Sequence, residues 1–227
     1  MRVTVVGIDA CTAGWVAVVL RPGTAADGVF GATLSEIAAQ VPAAQGFGVD
    51  IPIGLPTTGE RPADLAARAA LGPRRSSLFM TPVREALTAT THASATQKAR
   101  ELTGKGISRQ AYGLAPKILE AEAWVAALQV PVWEVHPELS FTTLLGHPAR
   151  ASKKAWSGMR ERLDALHSAG IELGELPGAG DRAATDDVVD AAVVAWSVQR
   201  LVSGKGVPYP DPPEMDAVTG RAIAIWA

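Results

Sequence analysis

Val3-Thr4-Val5-Val6-Gly7-Ile8-Asp9-Ala10-Cys11-Thr12-Ala13-Gly14-Trp15-Val16-Ala17-Val18-Val19-Leu20 is the stretch that decides the fold. Residues 3–8 are nearly all apolar and lead into Gly7-Ile8-Asp9, Thr12-Ala13-Gly14 supplies a short turn, and residues 15–20 are apolar again. Two such runs so closely spaced predict a β-hairpin. A third strand is expected over 29–34, after the turn residues Pro22, Gly23 and Gly28. Leu34, Ile37, Ala38 and Val41 then recur at helical spacing, with Pro42 closing the segment. Residues 46–53 read as a fourth, buried strand, and Pro52, Gly54 and Pro56 force a loop directly after Asp50.

Asp9 and Asp50 thus each follow an apolar run. If those runs lie side by side as buried parallel strands, like charges meet at one edge of the sheet, where unpaired burial is costly. Asp186, Asp187 and Asp190 open a late apolar helix over 185–203 and add three more carboxylates. A divalent cation resolves the conflict, and carboxylates around Mg²⁺ or Mn²⁺ point to phosphoryl chemistry.

Residues 61–128 are largely helical in pattern. Pro62 suits a first helical turn, Gly72-Pro73 ends that element, and further helices are expected near 83–90, 95–102 and 116–128. Residues 130–135 return to a strand. Amphipathic helices are expected over 153–169 and 185–203, the Pro-rich residues 207–213 read as a loop, and 222–226 as a short terminal strand. This order predicts one α/β domain over 1–227, a mixed sheet flanked by helices, with a basic helical insertion at about 57–128.

With 227 residues, 48% hydrophobic and 19% charged, the chain is long enough to bury one large core. The single cysteine, Cys11, excludes an internal disulfide and a Cys-x-x-Cys zinc site, which fits a reducing cytoplasm. Asp9 interrupts the apolar N-terminus and Arg21 ends the next run, so neither a signal peptide nor a spanning helix is expected. The net charge of -2 conceals an asymmetry. Residues 61–118 hold ten Lys or Arg against three acids, a local +7 that leaves -9 on the remainder. A basic module on an acidic body suits a polyanion such as nucleic acid; its plain alternative is a solvated helical face.

The element order, with Asp9 on the first strand, Asp50 on the fourth and carboxylates on the last helix, resembles the ribonuclease H-like superfamily. Asp187-Val188-Val189-Asp190 is similar to the Asp-x-x-Asp pair of its Holliday-junction resolvase branch. A closer resemblance is to a bacterial and archaeal family of predicted RNase H-like nucleases, domain of unknown function 429. It rests on Gly7-Ile8-Asp9-Ala10-Cys11, Val49-Asp50-Ile51-Pro52-Ile53-Gly54-Leu55-Pro56, Gly72-Pro73-Arg74-Arg75-Ser76-Ser77, Leu102-Thr103-Gly104-Lys105-Gly106, Glu134-Val135-His136-Pro137-Glu138 and Asp186-Asp187-Val188-Val189-Asp190-Ala191. The resemblance implies a metal-dependent nuclease or phosphodiesterase acting on nucleic acid or nucleotides.

Asp9, Asp50, Asp187 and Asp190 are the candidate ligands of Mg or Mn, and with Glu134 the candidate catalytic residues. Each has a simpler reading: Asp9 and Asp50 as turn and strand-end caps, Asp186 and Asp187 as partners of the helix dipole. Asp190, three residues beyond Asp187 on the same helix face and surrounded by Val and Ala, is harder to explain that way. Glu134, His136 and Glu138 alternate along a strand end until Pro137 disturbs the register; Glu134 or His136 could serve as ligand or base, or form a satisfied polar cluster. Arg74, Arg75, Lys105, Arg109 and Lys117 are the candidate substrate contacts, the first four on Gly- and Ser-containing loops without the Walker spacing. Ser152-Lys153-Lys154 is a weaker version of such a cluster or a helix start. Trp124, Trp133, Trp156 and Trp196 read as core residues. Two other readings stand beside the nuclease: a non-catalytic nucleic-acid or partner-binding module, and an actin-like phosphotransferase or ATPase, which Asp9, Thr12 and Gly14 fit loosely.

Overall fold

A computed structural model describes residues 3–216 and 220–227. The hairpin forms as the sequence requires: β1 (Val5–Cys11) pairs antiparallel with β2 (Gly14–Leu20), Asp9 opposite Val16. Every residue of β2 is buried, Trp15, Ala17 and Val19 on one face of the sheet and Val16, Val18 and Leu20 on the other. A strand apolar on both faces needs cover on both, which fixes the layering. β3 (Asp27–Gly31) lies on the outer side of β2, and α1 (Leu34–Gln40), capped by the Thr33 hydroxyl, starts where the third strand was expected to end. β4 (Phe47–Val49) then pairs parallel with β1, Ile8 beside Val49.

Six further elements precede the next strand: α2 (Pro62–Leu71), a 3₁₀ turn (Gly72–Ser77), α3 (Arg84–Leu87), α4 (His92–Thr103), α5 (Arg109–Gly113) and α6 (Ala115–Ala127). β5 (Val132–Val135) follows, then α7 (Pro137–Leu145), α8 (Trp156–Ser168), α9 (Thr185–Leu201), β6 (Pro208–Met215) and β7 (Ala222–Trp226). Among the described residues the strands form one seven-stranded mixed sheet, in the order β3-β2-β1-β4-β5-β7-β6. One face carries α1 and α3–α6 over Val6, Ile8, Phe47 and Val49. The other carries α7–α9 over Val5, Val16 and Val18.

α9 lies closest to the sheet, and glycine is what allows it. A Cβ on Gly7 would come within 2.0 Å of the Ala195 amide nitrogen, and one on Gly48 within 2.5 Å of Val198. Ala191, Ala192 and Ala195 keep the helix side of the contact small, and all three are fully buried. Because side chains alternate along a strand, Asp9 and Asp50, two residues beyond Gly7 and Gly48, fall on this same α9-facing side.

Several sequence expectations need correction. β1 continues two residues past Asp9, so this carboxylate lies within the strand, and β4 stops at Val49, short of residue 53. Residues 207–213, expected as a loop, belong largely to β6, which pairs only with β7 and therefore tolerates prolines that lack an amide hydrogen. Pro137, read as disturbing a strand, begins α7. Trp124, Trp133 and Trp196 pack against the core, whereas Trp156 is 77% exposed: as the first residue of α8 it overhangs the stripe of Met159, Leu163 and Leu166. No helix among the described residues is long and apolar enough to cross a membrane.

Candidate functional site

At the carboxyl ends of β1, β4 and β5 the neighbouring strands part. Asp50 N–H donates to Ile8 O at 2.9 Å, the last bond between β1 and β4, after which Pro52 carries the chain away. The gap is a cavity of about 240 Å³ lined by Asp9, Asp50, His136, Lys153 and Asp187 on one side and Arg61, Asp64 and Glu134 on another. Phe79, Leu114 and Ile51 supply apolar wall.

The register of β1 and β4 makes Asp9 and Asp50 neighbours, as the sequence order implied. Asp9 is 7% exposed, and its Oδ1 accepts from the Ala10 amide at 2.7 Å. Burial, then the charges of Asp50 and Asp190, hold its pKa well above the usual carboxylate range, with Lys153 opposing. Asp50 accepts no hydrogen bond from any described residue, and burial together with Asp190 pushes it up to about 8. Asp190 sits behind the cavity wall on α9, 2% exposed; burial raises it to about 6 against the pull of Lys153, which donates to its Oδ2. Asp187 is half-buried at the cavity, and its Oδ2 lies 3.4 Å from the Ala184 amide, so it also caps α9. Burial and Asp186 raise its pKa.

One ammonium group answers this charge. Lys153 lies 3.4 Å from Asp186 as well as bonding Asp190, and although its own burial works the other way, Asp190, Asp9 and Asp50 keep it protonated. Lys154 donates to Asp186 at 2.7 Å. Burial would raise Asp186, yet the two lysines bring it below the usual range. The sequence offered Lys153 only as a weak phosphate contact; nothing periodic marks a cation in a turn before a helix. The oxygen-only donor set of Asp9, Asp50, Asp190 and Asp187 suits a hard divalent cation, which would displace the protons that burial and mutual repulsion favour on Asp9 and Asp50. Among the described residues no three His, Cys, Asp or Glu side chains are already drawn together as a metal-holding group.

Glu134 is placed differently from its expected role. It faces away from α9 and is bound by Arg61 through Nη1 at 2.7 Å and Nη2 at 2.6 Å, while its Oε2 also accepts from the Ile53 amide. Burial raises its pKa and Arg61 pulls it back. Arg61 also grips Asp64, whose second oxygen accepts from the Thr81 amide at 2.7 Å. His136 precedes α7 with Nε2 3.5 Å from Ser77 O and a buried Nδ1 that has no partner among the described residues. Burial brings its imidazole down to about 4, so it is neutral at pH 7. Glu138 is turned inward to Arg162 at 2.5 Å.

The candidate substrate cations separate into two sets. Arg74 points inward, donating to Ala151 O and lying 3.8 Å from Glu138. Lys105 pairs with Glu60 at 2.8 Å, and Lys117 covers the Trp15 ring while donating to Gly14 O. Burial lowers the Lys117 pKa. Arg75 and Arg109 are exposed without an ion pair among the described residues, beside the cavity-lining segments that include Ser77 and Gln110. The basic insertion therefore does not present its +7 as one surface.

Residues 7–215 match the family model described as Protein of unknown function (DUF429), and the chain belongs to that family. No curated protein and no solved structure matches it.

Proposed function

We propose that this DUF429 protein is a divalent-metal-dependent nuclease or phosphodiesterase of ribonuclease H-like fold, acting in the cytoplasm on nucleic acid or nucleotides. The observation that carries this reading is the excess of buried carboxylates over cations at the parted ends of β1 and β4: Asp9 and Asp50 in register, Asp190 facing them from α9, and Lys153 alone among them. The antiparallel β3-β2-β1 unit running into parallel β4 and β5, with α9 across β1, supports the fold assignment. Asp9, Asp50 and Asp190, with Asp187 at the rim, would hold Mg²⁺ or Mn²⁺, which supplies Lewis-acid polarisation of a phosphoryl oxygen.

The chain's own groups have separate parts. Lys153, at the cavity, offsets phosphate charge. His136 lines the cavity and is neutral at pH 7, so it adds no positive charge that would oppose a metal there. Phe79, Ile51 and Leu114 limit water on one side, which strengthens every charge interaction inside. Incubation with mixed nucleic acids and nucleotides under Mg²⁺ or Mn²⁺ tests the reading: hydrolysis is expected, and Asp9→Asn abolishes it while circular dichroism shows a folded protein. A fully active Asp9→Asn variant, or no divalent binding by calorimetry, overturns it.

One observation favours a non-catalytic nucleic-acid or partner-binding module instead. The carboxylates are not gathered into a metal-holding group, and Lys153 already pairs with Asp190. Nucleic-acid binding without divalent binding would decide for that module.

A further inference from the structure

Residues 150–160, Arg150-Ala151-Ser152-Lys153-Lys154-Ala155-Trp156-Ser157-Gly158-Met159-Arg160, contain four cations and no acid. Trp156 is the most exposed large apolar side chain among those described, at 77%. Arg150 and Lys154, six and two residues before it, are 81% and 70% exposed. A single exposed tryptophan is ordinary on a protein surface, so what it could do is set by its surroundings.

Those surroundings are rigid. Arg162, fully buried, donates to Ala151 O at 3.2 Å and Gly158 O at 2.8 Å, and Arg74 reaches the same Ala151 carbonyl from the far side. Ala155 N–H closes a turn onto Ser152 O at 2.9 Å. Gly158 lets the helix press against this turn, since a Cβ there would stand 2.2 Å from Ser152 O. The turn also points inward, because Lys153 bonds Asp190 and Lys154 bonds Asp186. Trp156 is three positions after Lys153, so its backbone lies within about 11 Å of the residue that reaches the carboxylates.

We propose that this segment is a docking ledge for single-stranded nucleic acid, with an unpaired base stacked on Trp156 and the flanking phosphates held by Arg150 and Lys154. The pairing of one aromatic face with adjacent cations fits a strand whose bases are free to stack and whose backbone is anionic. A duplex keeps its bases stacked on each other and offers Trp156 nothing. The two cations are exposed although their partners are not, Arg150 lying 3.8 Å from Glu161, 16% exposed, and Lys154 2.7 Å from Asp186, 10% exposed, so a phosphate competes with these carboxylates for them. The ledge names the substrate form for the nuclease reading above and rests on it for its role, but its binding is measurable without metal.

The test is fluorescence anisotropy of a labelled oligothymidylate of about 12 nucleotides, and of a duplex of equal length, in EDTA. The parent is expected to prefer the single strand. Trp156→Ala should weaken that binding by about five- to one-hundred-fold, the range of one base stacked on an aromatic side chain, while Trp156→Phe stays within about threefold. Equal affinity of Trp156→Ala and parent, equal affinity for single strand and duplex, or no binding by the parent overturns the ledge. So does a parent dimer in sedimentation that Trp156→Ala dissolves, which assigns Trp156 to contact between copies. Calorimetric Mn²⁺ binding by the same proteins separates the two readings: Mn²⁺ binding with no Trp156 effect removes the ledge alone, and a Trp156 effect without Mn²⁺ binding removes only the nuclease.

Discussion

Around one cavity, Glu134 and Asp64 accept from Arg61 at 2.6 and 2.5 Å, whereas Asp50, one strand away, accepts from no described residue. Both groups are carboxylates gathered near the carboxyl ends of β1, β4 and β5. In the first, a buried guanidinium with its fixed fork joins Asp64 of α2, Glu134 of β5 and the Ile53 carbonyl, and the Thr81 and Ile53 amides fill remaining oxygens. In the second, Asp9, Asp50 and Asp190 share one ammonium that bonds only Asp190 of the three. A completed network ties the loop after β4 to β5; an uncompleted one favours protons that a cation can displace. Carboxylates around one cavity do opposite work, and partner count decides which.

Arg61→Leu puts the heaviest strain on this contrast. It leaves Asp64 and Glu134 buried without their cation, and a loss of about 3–5 kcal/mol in urea unfolding is expected. A loss below about 1 kcal/mol would mean that the first network is no more complete than the second.

Asp50→Asn should act with the opposite sign. The folded-state pKa of about 8 exceeds the unfolded value, so the native state binds more protons between about pH 4 and 8, and stability falls as pH rises through that window. Removing the ionisable group should therefore raise metal-free stability at pH 8, by up to about 5 kcal/mol if the whole shift is expressed, and change little at pH 4. Thermal melts at both pH values check this. Added Mn²⁺ should stabilise the parent at pH 8 and leave the variant unmoved.

Lys153→Met is the finest of the three. Removing the resident cation should tighten Mn²⁺ binding roughly tenfold, because a neighbouring like charge is lost from a poorly screened site. Calorimetry at pH 7 reads it. Weaker Mn²⁺ binding in the variant would mean that Lys153 organises the carboxylates rather than opposing a metal there.

Much of the fold was legible in residues 3–20 and 185–203, where apolar runs on both faces of β2 and all round α9 demand burial. The prolines misled in two places for one reason: their effect depends on position. Pro137 falls at the first turn of a helix and the prolines of β6 on an edge, and neither neighbour is visible from local sequence. The carboxylates of the site were legible because Asp9 and Asp50 end or interrupt apolar runs. A further signal lay unused in Gly7-Ile8-Asp9 and Gly48-Val49-Asp50: each glycine seats α9, and each aspartate follows on the same face. Trp156 was read as core with Trp124, Trp133 and Trp196, and a large aromatic side chain alone does not say where a helix overhangs its support.

By itself the sequence determined the first hairpin, the central helix and the carboxylates, since burial of apolar surface and the cost of isolated charge are properties of the residues. Only the tertiary structure decided which charges are answered. Arg61 comes to Glu134 across 73 positions and Lys153 to Asp190 across 37, while Arg74, Lys105 and Lys117 turn to partners of their own. Those pairings depend on which loops the sheet brings together, and a Coulomb interaction that fades within a few ångströms of water leaves no mark on the order of residues along the chain.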